Sequence, residues 1–163
     1  MPNYKESQND YYSFDVNNVH VVSINSNIFN SHWTKPLNDS YGIQTIDWLK
    51  KDSAASKSQK FRILFLHSPF YCSKPSPKGD LRCSGWADWF REKYEQYVNG
   101  NFDVVVQAHV HTYERTLPVF KAIANMTGVS KDNSTYSEPS NPTYIVCGSP
   151  GNTEGVGSSC KIF

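Results

Sequence analysis

Two short apolar runs, each closed off by histidine, constrain this chain more than any other feature. Ile63-Leu64-Phe65-Leu66 leads directly into His67, and the run Phe102 to Val106 is followed two residues later by His109 and His111. A near-continuous apolar run of strand length suits a sheet covered on both faces. In open α/β sheets ligands gather just beyond the carboxyl ends of strands. His67, His109 and His111 therefore stand where a site is expected. An H-x-H pair directs both imidazoles to one side of the backbone if the segment stays extended, and imidazole nitrogen is a ligand suited to zinc and iron. Spacing alone leaves a second reading open, because a histidine near a strand is often a hydrogen-bonded structural residue. His20 and His32 lack such a setting and read as surface or core residues.

The rest of the chain alternates strands and helices. Tyr12 to Val16 and His20 to Ile24 read as strands joined by the turn Asn17-Asn18. Ile43, Ile46 and Leu49, with Trp48 beside them, predict a short helix over Ile43 to Lys51, and Ser53 to Lys60 reads as a polar connector. Ser73 to Cys83 is an irregular loop. Ser84 is placed to cap a helix bearing Trp86, Trp89, Phe90, Tyr94 and Tyr97 at three- and four-residue intervals. Leu117 to Phe120 is a shorter strand candidate, Ala122 to Asn141 an exposed insertion, and Tyr144 to Cys147 a last buried strand. This pattern is α/β and fits one domain in 163 residues. With 38% hydrophobic residues and 19% charged ones, the chain is too apolar to be disordered. A formal charge of +1 excludes the electrostatic footprint of a nucleic-acid binder, and no stretch reaches the apolar length of a membrane span.

Four cysteines, Cys72, Cys83, Cys147 and Cys160, contain no C-x-x-C pair that would suggest a zinc knuckle. Acceptor sequons start at Asn38, Asn125 and Asn133, whereas Asn141 is excluded by the proline that follows. Together these tilt towards a secreted or vesicular protein, yet the opening Met1-Pro2-Asn3-Tyr4-Lys5 carries no signal peptide. A segment upstream of Met1 would reconcile the two.

At this point the motifs acquire a family. His67-Ser68-Pro69-Phe70-Tyr71 resembles the H-x-P-x-Y segment of purple acid phosphatases, of the calcineurin-like metallophosphoesterases. Ala108-His109-Val110-His111-Thr112-Tyr113-Glu114-Arg115 is similar to their G-H-x-H-x-Y-E-R segment. Tyr11 to Val16, Tyr144 to Ser149 and Gly151 to Gly155 also match, in the family's order. The resemblance implies part of a four-layer sandwich, two mixed β-sheets flanked by helices. It implies a dinuclear centre of Fe(III) with a divalent metal (Zn, Mn or Fe), which hydrolyses phosphate monoesters by attack of metal-bound hydroxide on phosphorus. By position, His67 and His109 would bind the divalent ion and His111 the iron. The Tyr113-Glu114-Arg115 tail would anchor the loop behind them.

The family's two aspartate motifs and its G-N-H segment have no counterpart here. Residues 1–163 therefore read as about the C-terminal half of the catalytic domain, with the N-terminal half missing and its signal peptide with it, in a secreted or lysosomal parent. Asp80, Asp88 and Asp103 read as solvated. Substrate-contacting histidines that many members carry in the loop after His67 are absent here. Lys74, Lys78 and Arg82 are the candidate phosphate contacts, against the alternative of ordinary solvated charges. Cys72 resembles a cysteine that a subgroup carries in this loop, and a Cys72–Cys83 disulfide is expected. Two alternatives remain: a non-catalytic binding protein with the same fold, or a fragment holding at most one zinc through the three histidines. An isolated half is expected to expose apolar strands and to behave as a poorly soluble or molten chain.

Overall fold

A computed structural model describes residues 10–26, 39–72, 86–151, 153 and 161–162. Elements in chain order are β1 (Tyr11–Val16), β2 (Val19–Ile24), α1 (Asp39–Ala55), β3 (Phe61–Phe65), α2 (Trp86–Val98), β4 (Val104–Gln107), β5 (Tyr113–Arg115), β6 (Val119–Phe120), β7 (Ile123–Ala124), β8 (Thr143–Cys147) and β9 (Lys161–Ile162). A seven-stranded sheet runs β1-β2-β3-β4-β8-β5-β9, and β6 and β7 form a separate two-stranded sheet. β1 and β2 are an antiparallel hairpin whose turn puts Asn17 at φ 54°, a left-handed conformation that asparagine tolerates well. β2, β3, β4 and β8 are parallel to one another, so their carboxyl ends lie along one edge.

Handedness explains where the helices go. The crossovers β2-α1-β3 and β3-α2-β4 both step in the same direction across the sheet. Right-handed connections then place both helices on the same face. That face holds the core: Val22, Ile24, Leu64, Val105 and Tyr144 from the sheet meet Ile46 and Leu49 of α1 and Phe90 and Val98 of α2. Phe70, from the segment after β3, packs its ring 4.4 Å from that of Phe90. Burying each such side chain contributes roughly 1.5–3 kcal/mol.

The opposite face of β3, whose apolar run suits cover on both sides, is open in this chain, as expected of the isolated stretch. Phe61 and Phe65 are 40% and 39% exposed, while Leu64 between them is fully buried. Their register neighbours on that face, Val19, Val21 and Ser23 of β2 and Val104 and Val106 of β4, are only half-buried. Phe14 and Val16 continue the exposed apolar surface onto β1. A run of apolar residues long enough for two-sided burial is thus buried on one side only.

Helix α1 is longer than the sequence pattern predicts, taking in Ser53, and Ile43 is exposed rather than on its buried stripe. A spacing of three drifts along a helix of 3.6 residues per turn, so Ile43 lies about 120° round the axis from Leu49. Asp103 is not a solvated charge at a strand start. It accepts the Arg62 backbone N–H at 2.7 Å and ties β3 to β4. Cys147 is exposed and not disulfide-bonded, not buried, because it ends β8 on the uncovered face. The side chain of Asp88 and the whole of Asp80, His32 and Ser84 lie outside the described residues. Among the described residues no helix is long and apolar enough to cross a membrane.

Candidate metal centre at the strand ends

The β3–β4 ladder continues beyond the regular strands. The Leu66 N–H donates to the Val106 carbonyl and the Ala108 N–H to the His67 carbonyl, each at 3.0 Å. This pairing sets His67 beside Ala108 and hence beside His109. The chain then leaves the extended conformation. His109 takes φ 63°, the Val110 N–H donates to Ala108 at 2.7 Å, and the Thr112 N–H donates to Val110 at 2.8 Å. Bonds from residue i+2 back to residue i are tight turns. H-x-H is therefore a folded knuckle here and not an extended strand end, which corrects the basis on which its two imidazoles were expected to share a side.

The knuckle is held from behind. Val110 is buried, and a β-carbon added at Gly148 would lie 2.2 Å from its carbonyl oxygen, so the residue that follows β8 has no side chain. The Thr112 hydroxyl donates to the buried Glu114 carboxylate at 3.0 Å. Arg115 donates to the Asn133 carbonyl at 3.1 Å and lies over the Tyr136 ring. β5 thus carries Tyr113, Glu114 and Arg115 behind the histidines, not among them.

The result at the surface is a close imidazole pair. His67 Nε2 and His109 Nδ1 face each other at 3.0 Å, one ring donating and the other accepting. His67 is held below the usual histidine range, first by burial and then by the charge of His111. A neutral ring with an available lone pair is what a metal ligand requires. Two nitrogens on one tetrahedral zinc, at about 2.0–2.1 Å each, stand about 3.3 Å apart. The observed separation fits that spacing, so the pair suits a shared divalent ion. His111 is half-buried nearby and is felt electrostatically by His67. Among the described residues no three His, Cys, Asp or Glu side chains gather into a metal-holding group, so the three histidines do not form a closed site by themselves.

Sequence reasoning missed the residues that position His67. Gln107 is 1% exposed; its Oε1 accepts the Phe70 N–H at 2.7 Å and its Nε2 donates to the Tyr71 carbonyl at 2.6 Å. Ser26 Oγ accepts the Ser68 N–H at 2.7 Å, and the Arg91 guanidinium donates to the Phe70 carbonyl at 2.6 Å. The segment after β3 is fastened on three sides. The one available signal was a glutamine placed at an inward position closing a valine run. Further back, the Tyr71 hydroxyl donates to Glu95 at 2.5 Å. Burial raises the Tyr71 hydroxyl above its usual range, and burial raises Glu95 too, against the hydrogen bonds it accepts.

Other candidate residues divide between described and undescribed positions. Lys74, Lys78, Arg82, Cys83 and Asn38 lie outside the described residues. Cys72 is disulfide-bonded, and its partner lies outside them as well. Asn125 accepts the Thr127 N–H at 3.0 Å and donates to Asn141 at 2.9 Å, whereas Asn133 sits at φ 57° in the exposed insertion.

No protein-family model matches the chain. It is 31% identical over 159 residues to purple acid phosphatase 22 of Arabidopsis thaliana, covering 95% of this chain and 30% of that protein. It is 34% identical over 122 residues to the Fe(3+)-Zn(2+) purple acid phosphatase 12 of Arabidopsis thaliana, covering 72% of this chain and 24% of that protein. Among solved structures it resembles a purple acid phosphatase from yellow lupin (Lupinus luteus) seeds with a TM-score of 0.52 and 16% identity, over 88% of this chain and 24% of that one. The likeness to the lupin structure concerns the fold. The chain spans about a third of the length of the curated relatives it matches.

Proposed function

The chain belongs with the purple acid phosphatases, and from that premise we propose that it is about the C-terminal half of a catalytic domain that hydrolyses phosphate monoesters. The observation that carries this reading is the His67–His109 pair at 3.0 Å on adjacent strand ends. His67 and His109 would hold a divalent metal, and His111 an Fe(III), in the complete domain. An iron–divalent pair supplies Lewis acidity towards phosphate and an activated water. This chain's own residues fix two imidazoles in place at the mouth of the sheet, through Gln107 and Ser26 on the segment after His67 and through the Val110 knuckle at His109. The uncovered apolar face supports the same reading, as the surface that the rest of the domain would cover. Lys74, Lys78 and Arg82 remain the proposed phosphate contacts. The Cys72 disulfide, which we assign to Cys83, supports a secreted or vesicular location, where Asn125 and Asn133 in the exposed insertion and Asn38 would be open to glycosylation.

Zinc titration of the 163-residue chain tests the donor assignment. Zinc uptake that saturates at or below one equivalent is expected, measurable in the native chain and lost in His67→Ala and His109→Ala. Gln107→Leu keeps the volume but removes both hydrogen bonds to the segment after His67, and should weaken zinc by less than either histidine substitution does. Uptake indifferent to both histidine substitutions, or none by the native chain, rejects the pair as donors.

A further inference from the structure

At the opposite end of the strands from His67 lies a polar cluster that the phosphatase reading does not use. His20 is 5% exposed, on the helix-covered face of β2. Its Nδ1 is 2.6 Å from the Asp15 carboxylate on β1, and its Nε2 is 2.8 Å from the Asp52 carboxylate on α1. The Ser13 hydroxyl of β1 donates to the other oxygen of Asp52 at 2.5 Å. From β3, Arg62 is the register neighbour of His20, and its guanidinium lies 3.9 Å from Asp103. The groups facing His20 are therefore Asp15 and Ser13 from β1, Asp52 from α1 and Arg62 from β3, the last already engaged by Asp103.

A neutral imidazole has one N–H and one lone pair. Placed between two carboxylates, it can donate to one only, and must turn its lone pair on the other. A protonated imidazole donates to both. We propose that Asp15, His20 and Asp52 form a pH-dependent latch, in which a charged imidazole fastens the edge hairpin β1–β2 to helix α1 and releases it as pH rises. Burial by itself pushes His20 down, but the hydrogen bonds and charges of Asp15 and Asp52 outweigh it and raise it above 6.5. A group raised on folding contributes fully below its unfolded value, and that contribution is lost as pH rises through its folded value. The latch's contribution is thus complete below about pH 6.5, declines above it, and is gone once pH passes the folded-state value.

Hydrogen exchange of the 163-residue chain at nanomolar concentration, below the range in which its uncovered face is expected to associate, tests this, with intrinsic rates corrected and hairpin peptides normalised to β4 and β8. Opening of the hairpin should increase by up to about tenfold per pH unit between 6.5 and the folded-state value of His20. His20→Gln should flatten that dependence, and Asp52→Asn, which keeps the shape of the side chain, should shorten its range. A direct titration of the His20 imidazole in the native chain should fall above 6.5 and move down in Asp52→Asn. Hairpin opening independent of pH in the native chain, or a His20 that titrates at or below 6.5, overturns the latch even if His20→Gln fails to fold.

Discussion

His109→Ala or His111→Ala, in a longer phosphatase that joins this stretch to the family's two aspartate motifs, is expected to lose bound metal and p-nitrophenyl phosphate hydrolysis together, with activity falling to background. The 163-residue chain alone should show neither purple colour nor turnover. Two-metal hydrolysis holds its ions about 3.5–4 Å apart. Three neutral imidazoles bring no charge to offset two cations at that distance. His20→Ala serves as the control, because its ring lies at the far end of the strands; it should cost stability while leaving metal and turnover in place. Turnover by the 163-residue chain that His111→Ala abolishes would mean that a substitute carboxylate has been overlooked. Metal retained in the longer His109→Ala protein would mean the ligand has been misplaced.

The second large effect concerns the uncovered face. Phe14, Val16, Phe61 and Phe65 stand exposed on neighbouring strands, joined by half-buried Val21, Ile63 and Val106. Contiguous apolar surface of this kind associates in water. The isolated chain should therefore self-associate at micromolar concentration and bind a hydrophobic dye, as read by sedimentation and by fluorescence. Phe65→Glu, on the exposed side of β3, should shift the population towards monomer. A monomer with a sharp cooperative melt and no dye binding would refute the expectation.

How much of this was legible in the sequence follows from what each signal depends on. The hairpin β1–β2, helix α2 and strands β3, β4 and β8 announce themselves through local pattern, and the structure has them within a few residues of expectation. Which face of the sheet is covered depends on the direction of two crossovers, and no property of Ile63 or Phe65 encodes that. His67 and His109 were legible as residues at strand ends. Their closeness depends on the β3–β4 register, and the folded shape of the knuckle depends on Gly148, a residue remote in sequence. Gln107, Ser26 and Asp52 were missed for the same reason: each acts on backbone or a ring distant along the chain.

The turn between β6 and β7 carries the same lesson into heredity. Lys121 and Ala122 both adopt left-handed φ, 51° and 61°, a conformation that commonly calls for Asn-Gly. Their N–H groups donate to the Glu95 carboxylate and the Tyr71 hydroxyl, each at 3.0 Å. The shape of this turn is therefore dictated from helix α2 and from the segment after β3, not by the residues that make it. Mutation has room to wander at positions 121 and 122, where asparagine and glycine would relieve strain. It has little at Glu95, whose buried carboxylate no other side chain described here replaces.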